Sequence, residues 1–277
     1  MTVRDPDQAA TDLAALNYYR LAAYWLPFEE HHETHKFREN TTFEMVKALY
    51  VMDRSLRLLM LDAIERIEVA VRARWSYEMA HAHGPHAHLE ANLAHRLTHY
   101  WRNCIDLSRE FGRSEEVFAR HLREKYVEPL PPVWAVCELM SFGLLSRWYA
   151  NLGPQKTRKR ISSAFDLDPD QLGSWLHHLS IVRNICAHHS RLWNREFTVT
   201  PAAPKTKPDE LINQWNTGSR RLYNTLLMTI HFVGLLAPGG TWSSRLKQLL
   251  APLPDDLLRP MGFPTDSTLD DLFAVAK

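Results

Sequence analysis

The segment "TTFEMVKALYVMDRSLRLLMLDAIERIEVAVRARWSYEMAHAHG", residues 41–84, decides the fold class. Its apolar residues recur at steps of three and four positions, the spacing of one face of an α-helix. These residues are Met45, Leu49, Met52, Leu56, Leu59, Ala63, Ile67 and Ala70. Thr41 or Thr42 can cap the start, and Gly84 ends the pattern. At about 1.5 Å per residue the run is roughly 60 Å long, so it forms one long helix, a bent helix or two helices.

Helical patterns also fill most of the remaining chain. We predict helices at about 87–110, 114–125, 131–152, 157–165, 168–195 and 209–238. Period-2 alternation typical of a sheet is not sustained, so we predict an all-α fold, a helical bundle with additional helices. One domain covers 1–277, with an N-terminal helical element at 1–40 and a helical core at 41–235. The proline-punctuated segment 239–277 is predicted to wrap the surface.

Composition narrows the class of protein. The 277 residues hold 33 Lys and Arg against 32 Asp and Glu, a net charge of +1. This balance argues against a general nucleic-acid coat but permits a local basic site. Three scattered cysteines without zinc spacing are typical of a reducing compartment. With no apolar leader and no long apolar window, we expect a cytoplasmic protein without a membrane span.

The stretch "VRNICAHHSRLWNR", residues 182–195, carries the candidate chemistry, within a predicted helix at 168–195. At about 100° per residue, His189 falls on the apolar face and is predicted to lie in the core. His188 falls at its polar edge, in a stripe formed by Asn184, His188, Arg191 and Arg195. Arg183 lies on the other flank of the polar side, about 140° from His188.

These residue types suit phosphodiester chemistry. Histidine moves a proton near neutral pH, and arginine grips a phosphate and offsets its growing charge. No carboxylate cluster accompanies them, so nothing indicates a metal-dependent nuclease, and we expect no cofactor. The competing interpretation is an ordinary solvated helix face.

At these residues the sequence resembles the Abi-like (AbiD/AbiF) abortive-infection family, part of the HEPN superfamily of all-α ribonucleases. The superfamily motif is Arg, four to six residues, then His, here Arg183 to His188. Three longer segments also resemble family blocks, in the same order along the chain. They are "LNYYRLAAYWLPFE" (16–29), "DRSLRLLMLDAIERIEVAVRARW" (53–75) and "MGFP" (261–264).

The resemblance implies a metal-independent endoribonuclease acting in phage defence, in which the ribose 2′-hydroxyl attacks the neighbouring phosphate. His188 would be general base or acid, Arg183 would stabilise the developing charge, and Asn184 would orient one of them. Because such enzymes pair two motifs and this chain has one, a homodimer with a composite site is implied. A structured non-coding RNA is an implied partner. The alternative is a non-catalytic RNA-binding protein of the same fold.

Two further segments are candidates for RNA contact, together with Arg191 and Arg195. The basic run "KTRKR" supplies Lys156, Arg158, Lys159 and Arg160. Its two interpretations are a solvated face and a phosphate-binding face. In "NYYRLAAYW", Tyr19 and Arg20 either stack on bases or belong to a core or interface.

Two other clusters carry weaker hypotheses. The segment "HAHGPHAHLEANLAH" (81–95) holds five histidines. Such residues can bind zinc or nickel, but a solvated corner between helices is the favoured interpretation. Glu65 and Glu68, one turn apart, either position Arg183 or Arg72, or form surface pairs with Arg66 or Arg72.

Overall fold

The chain folds almost entirely into helices. The computed structural model describes residues 1–31, 33–206 and 208–274, so residues 275–277 of the predicted C-terminal segment lie outside it. Within these ranges there are 14 α-helices and one two-stranded sheet, and 66% of the chain is helical. The predicted all-α fold is therefore confirmed. None of these helices is both long and apolar enough to cross a bilayer.

The long segment forms one continuous helix of 41 residues, α3 (Phe43–His83). The Thr42 hydroxyl accepts a hydrogen bond from the N–H of Met45 at 3.2 Å, which satisfies an otherwise unpaired donor of the first turn. Gly84 ends the helix at φ 93°, a value that glycine adopts without strain. Both predicted ends are confirmed. The prediction that Met45 faces the core is wrong, because the buried side chain of that turn is Val46.

The remaining elements surround α3. Before it lie α1 (Pro6–Leu16), α2 (Tyr18–Trp25) and an antiparallel hairpin of β1 (Glu29–His31) and β2 (Lys36–Phe37), with Glu29 opposite Phe37. After it come α4 (Leu97–Arg113), α5 (Val117–Lys125), α6 (Val133–Val136), α7 (Phe142–Ala150), α8 (Gln155–Ser163) and α9 (Pro169–Ala187). The chain continues with α10 (Asp209–Gln214), α11 (Tyr223–Leu236), α12 (Trp242–Leu250), α13 (Asp255–Leu258) and α14 (Leu269–Phe273).

Three predicted helices are divided or begin as 3₁₀ turns. The run 131–152 divides into α6 and α7, because the Ser141 side chain caps α7 by accepting from the N–H of Leu144. The run 209–238 divides into α10 and α11, with Gly218 at φ 82° in the connection. Tight 3₁₀ turns replace the first part of the predicted helix 87–110. In each case local capping or turn geometry interrupts an apolar pattern that continues through it.

One contiguous core joins the helices around α3. Helices α2, α8, α9, α11 and α12 all pack against it, and α7 packs against α9. The C-terminal segment contributes to this core, which corrects the prediction that it only wraps the surface. Trp242, Leu246 and Leu250 of α12 are buried, and the indole N–H of Trp242 donates to the carbonyl of Leu59 at 2.8 Å.

Candidate functional site

Helix α9 ends at Ala187, eight residues before its predicted end at 195. The N–H of His189 donates to the carbonyl of Cys186 at 3.0 Å. The N–H of Ser190 donates to the carbonyl of Ile185 at 2.9 Å. These two bonds form a Schellman motif, in which one residue turns into the left-handed region. Here that residue is His189, at φ 57°, where glycine is usual.

The early helix end changes where both histidines point. His189 is exposed, so the prediction that it lies in the core is wrong. The helical wheel does not apply beyond Ala187, because the backbone is no longer helical there. Leu192 and Trp193 are buried as predicted, but they reach the core from a loop. His188 is exposed at the helix end, beside that loop.

A groove of about 570 Å³ opens between α2 and this loop. Its lining comprises Asn17, Tyr19, Arg20, Ala23, Tyr24, His188, His189, Ser190, Arg191 and Arg195. The structure thus brings together five of the predicted site residues, namely Tyr19, Arg20, His188, Arg191 and Arg195. Three of them are arginines, and the lining contains no aspartate or glutamate. A basic groove without carboxylates is suited to a polyanion.

Two of the three arginines also join the walls of the groove, and the third braces one of them. Arg20 donates to the carbonyl of His189 at 2.9 Å, and Arg191 donates to the carbonyl of Ala23. Arg195 donates to the carbonyl of Arg191. Each guanidinium uses one of its five N–H donors in these bonds. The remaining donors of each side chain can bind a ligand while its position stays fixed.

The charges of the groove favour an anion. Burial lowers the pKa of Arg191, and the neighbouring positive charge of Arg195 lowers it further, although Tyr24 acts in the opposite direction. The guanidinium charge is therefore poorly solvated at this position and is repelled by that of Arg195. A bound phosphate would compensate it with a charge-assisted hydrogen bond.

Asp53 of α3 anchors the loop that carries the groove. Its side chain is fully buried and accepts from the Tyr24 hydroxyl at 2.6 Å and from Arg57 at 2.5 Å. It also accepts from the backbone N–H groups of Leu192 and Trp193, the latter at 2.7 Å. Burial raises the pKa of Tyr24, as does the charge of Asp53, so the tyrosine stays a neutral donor. One carboxylate therefore connects α2, α3 and the loop.

Sequence reasoning missed Asp53 as a site residue. Its signal was present, since an aspartate stands between Met52 and Leu56 on the apolar face of α3, with Arg57 one turn later. A carboxylate on a core-facing position requires buried donors. The sequence does not show which donors pair with Asp53, because they come from residues 24, 192 and 193, elsewhere in the chain.

Arg183 and Asn184 lie outside the groove lining. Arg183 donates to the side-chain oxygen of its neighbour Asn184 at 3.2 Å. Its charge also acts on Glu68 of α3: burial raises the pKa of Glu68, while the charges of Arg72 and Arg183 lower it. Glu68 pairs with Arg72 at 2.6 Å, so the suggested pairing within α3 is present. Within one chain, the structure does not place Arg183 in the groove that His188 lines.

The predicted basic run on α8 comprises Lys156, Arg158, Lys159 and Arg160. None of the four lines the groove. Arg158 is directed inward, where it pairs with Asp170 at 2.8 Å and lies over the ring of Tyr149. The other three side chains are exposed on a separate surface.

The histidine-rich corner is partly a core element. His88 is fully buried, and burial, with a smaller contribution from His86, lowers its pKa to about 4. The favoured interpretation of a solvated corner is therefore wrong for His88. Across the described ranges, no three His, Cys, Asp or Glu side chains are grouped as a metal ion would require.

Fold and site together define an all-α protein with a basic groove at the end of a histidine-bearing helix. The chain belongs to the Abi-like protein family, whose model matches residues 11–194. That range contains the second half of α1, all of α2 to α9, and all but one of the residues that line the groove. Membership suggests a role in abortive infection. No curated protein and no solved structure matches the chain.

Proposed function

We propose that this protein is a metal-independent endoribonuclease of the HEPN superfamily that acts as an abortive-infection toxin in phage defence. The observation that carries the proposal is the position of His188, in a groove lined by three arginines and no carboxylate. Arginines recognise the phosphates of an RNA strand. An imidazole beside them is placed to move the proton of a ribose hydroxyl.

The proposed reaction is attack of the 2′-hydroxyl on the adjacent phosphorus. His188 accepts the proton of the 2′-hydroxyl or donates one to the departing 5′-oxygen. Arg191 and Arg195 hold the phosphate, and their charges stabilise the additional negative charge of the transition state. The products are a 2′,3′-cyclic phosphate and a free 5′-hydroxyl. Exposed Tyr19 at the rim offers an aromatic face to a base.

The position of Arg183 favours a composite site in a homodimer. Arg183 does not line the groove of its own chain, so a second subunit would bring its own Arg183 to the first subunit's His188. The adjoining helix α3 has exposed apolar side chains at Val51, Leu58 and Val69. These three positions share one helix face, which suits a symmetric helix-to-helix contact.

The first experiment tests cleavage. Wild type and His188→Ala are incubated with RNA in EDTA, and the product ends are analysed. Cleavage by wild type that leaves 2′,3′-cyclic phosphate and is lost in His188→Ala supports the proposal. Cleavage that persists in His188→Ala shows that the assigned residue is wrong.

A second experiment tests the composite site. Arg183→Ala and His188→Ala proteins are mixed in equal amounts, exchanged and assayed. Half of the dimers formed at random are mixed, and each has one intact site, so about a quarter of wild-type activity returns. A site built within one chain gives no recovery. A monomer by light scattering at micromolar concentration, with and without RNA, also contradicts the composite site.

A second candidate function is RNA binding without cleavage, with a structured non-coding RNA as partner. The observation that favours it is the absence of Arg183 and Asn184 from the groove lining, which leaves one subunit without the full catalytic set. Tight RNA binding by wild type and His188→Ala, with no cleavage by either, would establish this alternative.

A further inference from the structure

A second basic pocket lies on a different part of the molecule. It has a volume of about 410 Å³ and opens between the start of α4 and the end of α7. Its charged and polar lining includes His95, Arg96, His99, Arg102, Asn103 and Arg147. No acidic residue lines it, and it shares no residue with the groove. In a chain of net charge +1, such a concentration of basic side chains indicates a local anion site.

One buried group in this pocket needs a hydrogen-bond acceptor. The Asn103 side chain is 2% exposed, and its amide nitrogen has no partner among the residues that the structure describes. A buried amide donor without a partner destabilises the fold. A phosphate oxygen in the pocket would accept from it. The N-terminus of α4 adds to this preference, because its first N–H groups have no side-chain cap and attract negative charge.

The charges that remain available are those of Arg96 and Arg102. Arg147 already pairs with Asp106 at 2.7 Å. For Arg96 and Arg102, no carboxylate of the described chain lies within ion-pair distance of the side chain. Two arginines, an amide donor and two imidazoles match a phosphate monoester, which carries up to two negative charges.

The pocket wall is held in place by backbone contacts. The Asn151 side chain accepts from the N–H of Arg96 and donates to its carbonyl, both at 3.0 Å. The N–H of Gly153 donates to the carbonyl of Leu93 at 2.7 Å. A Cβ at Gly153 would come within 3.2 Å of that carbonyl oxygen, so glycine permits the close approach. A preformed wall lowers the entropic cost of binding.

We propose that this pocket is a phosphate-monoester site, separate from the groove. Its ligand is either a free nucleotide or the phosphorylated end of an RNA strand, since both present the same chemical group. The site is independent of catalysis at His188.

The test uses full-length His188→Ala protein, so that no RNA is cut. Binding of inorganic phosphate, AMP, and one RNA oligonucleotide with a 5′-phosphate or a 5′-hydroxyl is measured by calorimetry. Arg102→Gln and His99→Gln are compared with Arg120→Gln, which removes one exposed arginine of α5. Circular dichroism checks that each variant is folded.

We expect Arg102→Gln to weaken binding of the monoester about tenfold or more, as loss of one charge-assisted bond implies. His99→Gln should weaken it less, and Arg120→Gln should leave it unchanged. Tighter binding of AMP than of inorganic phosphate or of the 5′-phosphorylated RNA identifies a free nucleotide as the source. A preference only for the 5′-phosphorylated RNA identifies an RNA end. The proposal is overturned if no monoester binds, or if Arg102→Gln binds all of them as well as Arg120→Gln does.

Discussion

Replacing Asp53 by asparagine should severely destabilise the protein and detach the loop that lines the groove from α3. Asp53 is fully buried and Arg57 is 4% exposed, so the substitution leaves a buried guanidinium without its counter-charge. Breaking a buried ion pair from one side costs about 3–5 kcal/mol. Domains are stable by only about 5–15 kcal/mol. The substitution therefore removes a large part of the free energy of unfolding, measured by urea denaturation.

The same helix provides a matched control. Asp62 and Arg66 have the same i,i+4 spacing as the buried pair, but their side chains are 31% and 46% exposed. Asp62→Asn should cost about 0–1 kcal/mol, since exposed pairs contribute little. In Asp53→Asn, amide hydrogen exchange at Leu192 and Trp193 should also accelerate, because their acceptor has changed. A loss below about 1 kcal/mol in Asp53→Asn, or equal losses in both variants, would refute the assignment of Asp53 as the anchor.

Three further substitutions test other parts of the description. His189→Gly should keep stability within about 1 kcal/mol of wild type, because glycine adopts the left-handed conformation freely. It should also retain RNA cleavage, and loss of cleavage would mean that the wrong histidine was assigned. Because His88 is buried, the free energy of unfolding should fall by about 2 kcal/mol between pH 7 and pH 5. The His88 imidazole takes up a proton near pH 6.5 in the unfolded chain and only near pH 4 in the folded protein. In urea denaturation at both pH values, His88→Leu should therefore lose less stability on acidification, and an unchanged pH dependence would contradict the buried neutral imidazole. Arg191→Gln should weaken RNA binding and reduce the slope of log affinity against log salt by about one. An unchanged slope in a fluorescence titration would exclude a phosphate contact.

The fold was largely predictable because its main signals are local. A hydroxyl cap at Thr42, a three- and four-residue apolar period and Gly84 together specify α3. Two helix ends were not predicted, because no glycine or proline marks them. Ser141 caps α7 from within an apolar run, and His189 occupies the turn position where glycine would have marked the end of α9.

The candidate site was predictable only in part because it is assembled from distant segments. The motif from Arg183 to His188 lies at the end of α9, and of its residues only His188 lines the groove. The helical wheel misplaces His189, since it assumes that the helix continues to residue 195. That Tyr19 and Arg20 line the same groove as His188, while Lys156 and Lys159 do not, depends on how α2 and α8 pack against α3. No local pattern contains that information.

The contact between Arg20 and His189 spans 169 positions of the chain. Closing so long a segment has an entropic cost that other contacts must first offset, and long-range contacts are typical of slow steps in folding. A nascent chain can form α3 long before Leu192 and Trp193, whose N–H groups Asp53 binds, have been synthesised. The groove therefore forms late, and an incomplete chain that ends before Leu192 contains the histidine motif without the surface that would bring it to RNA.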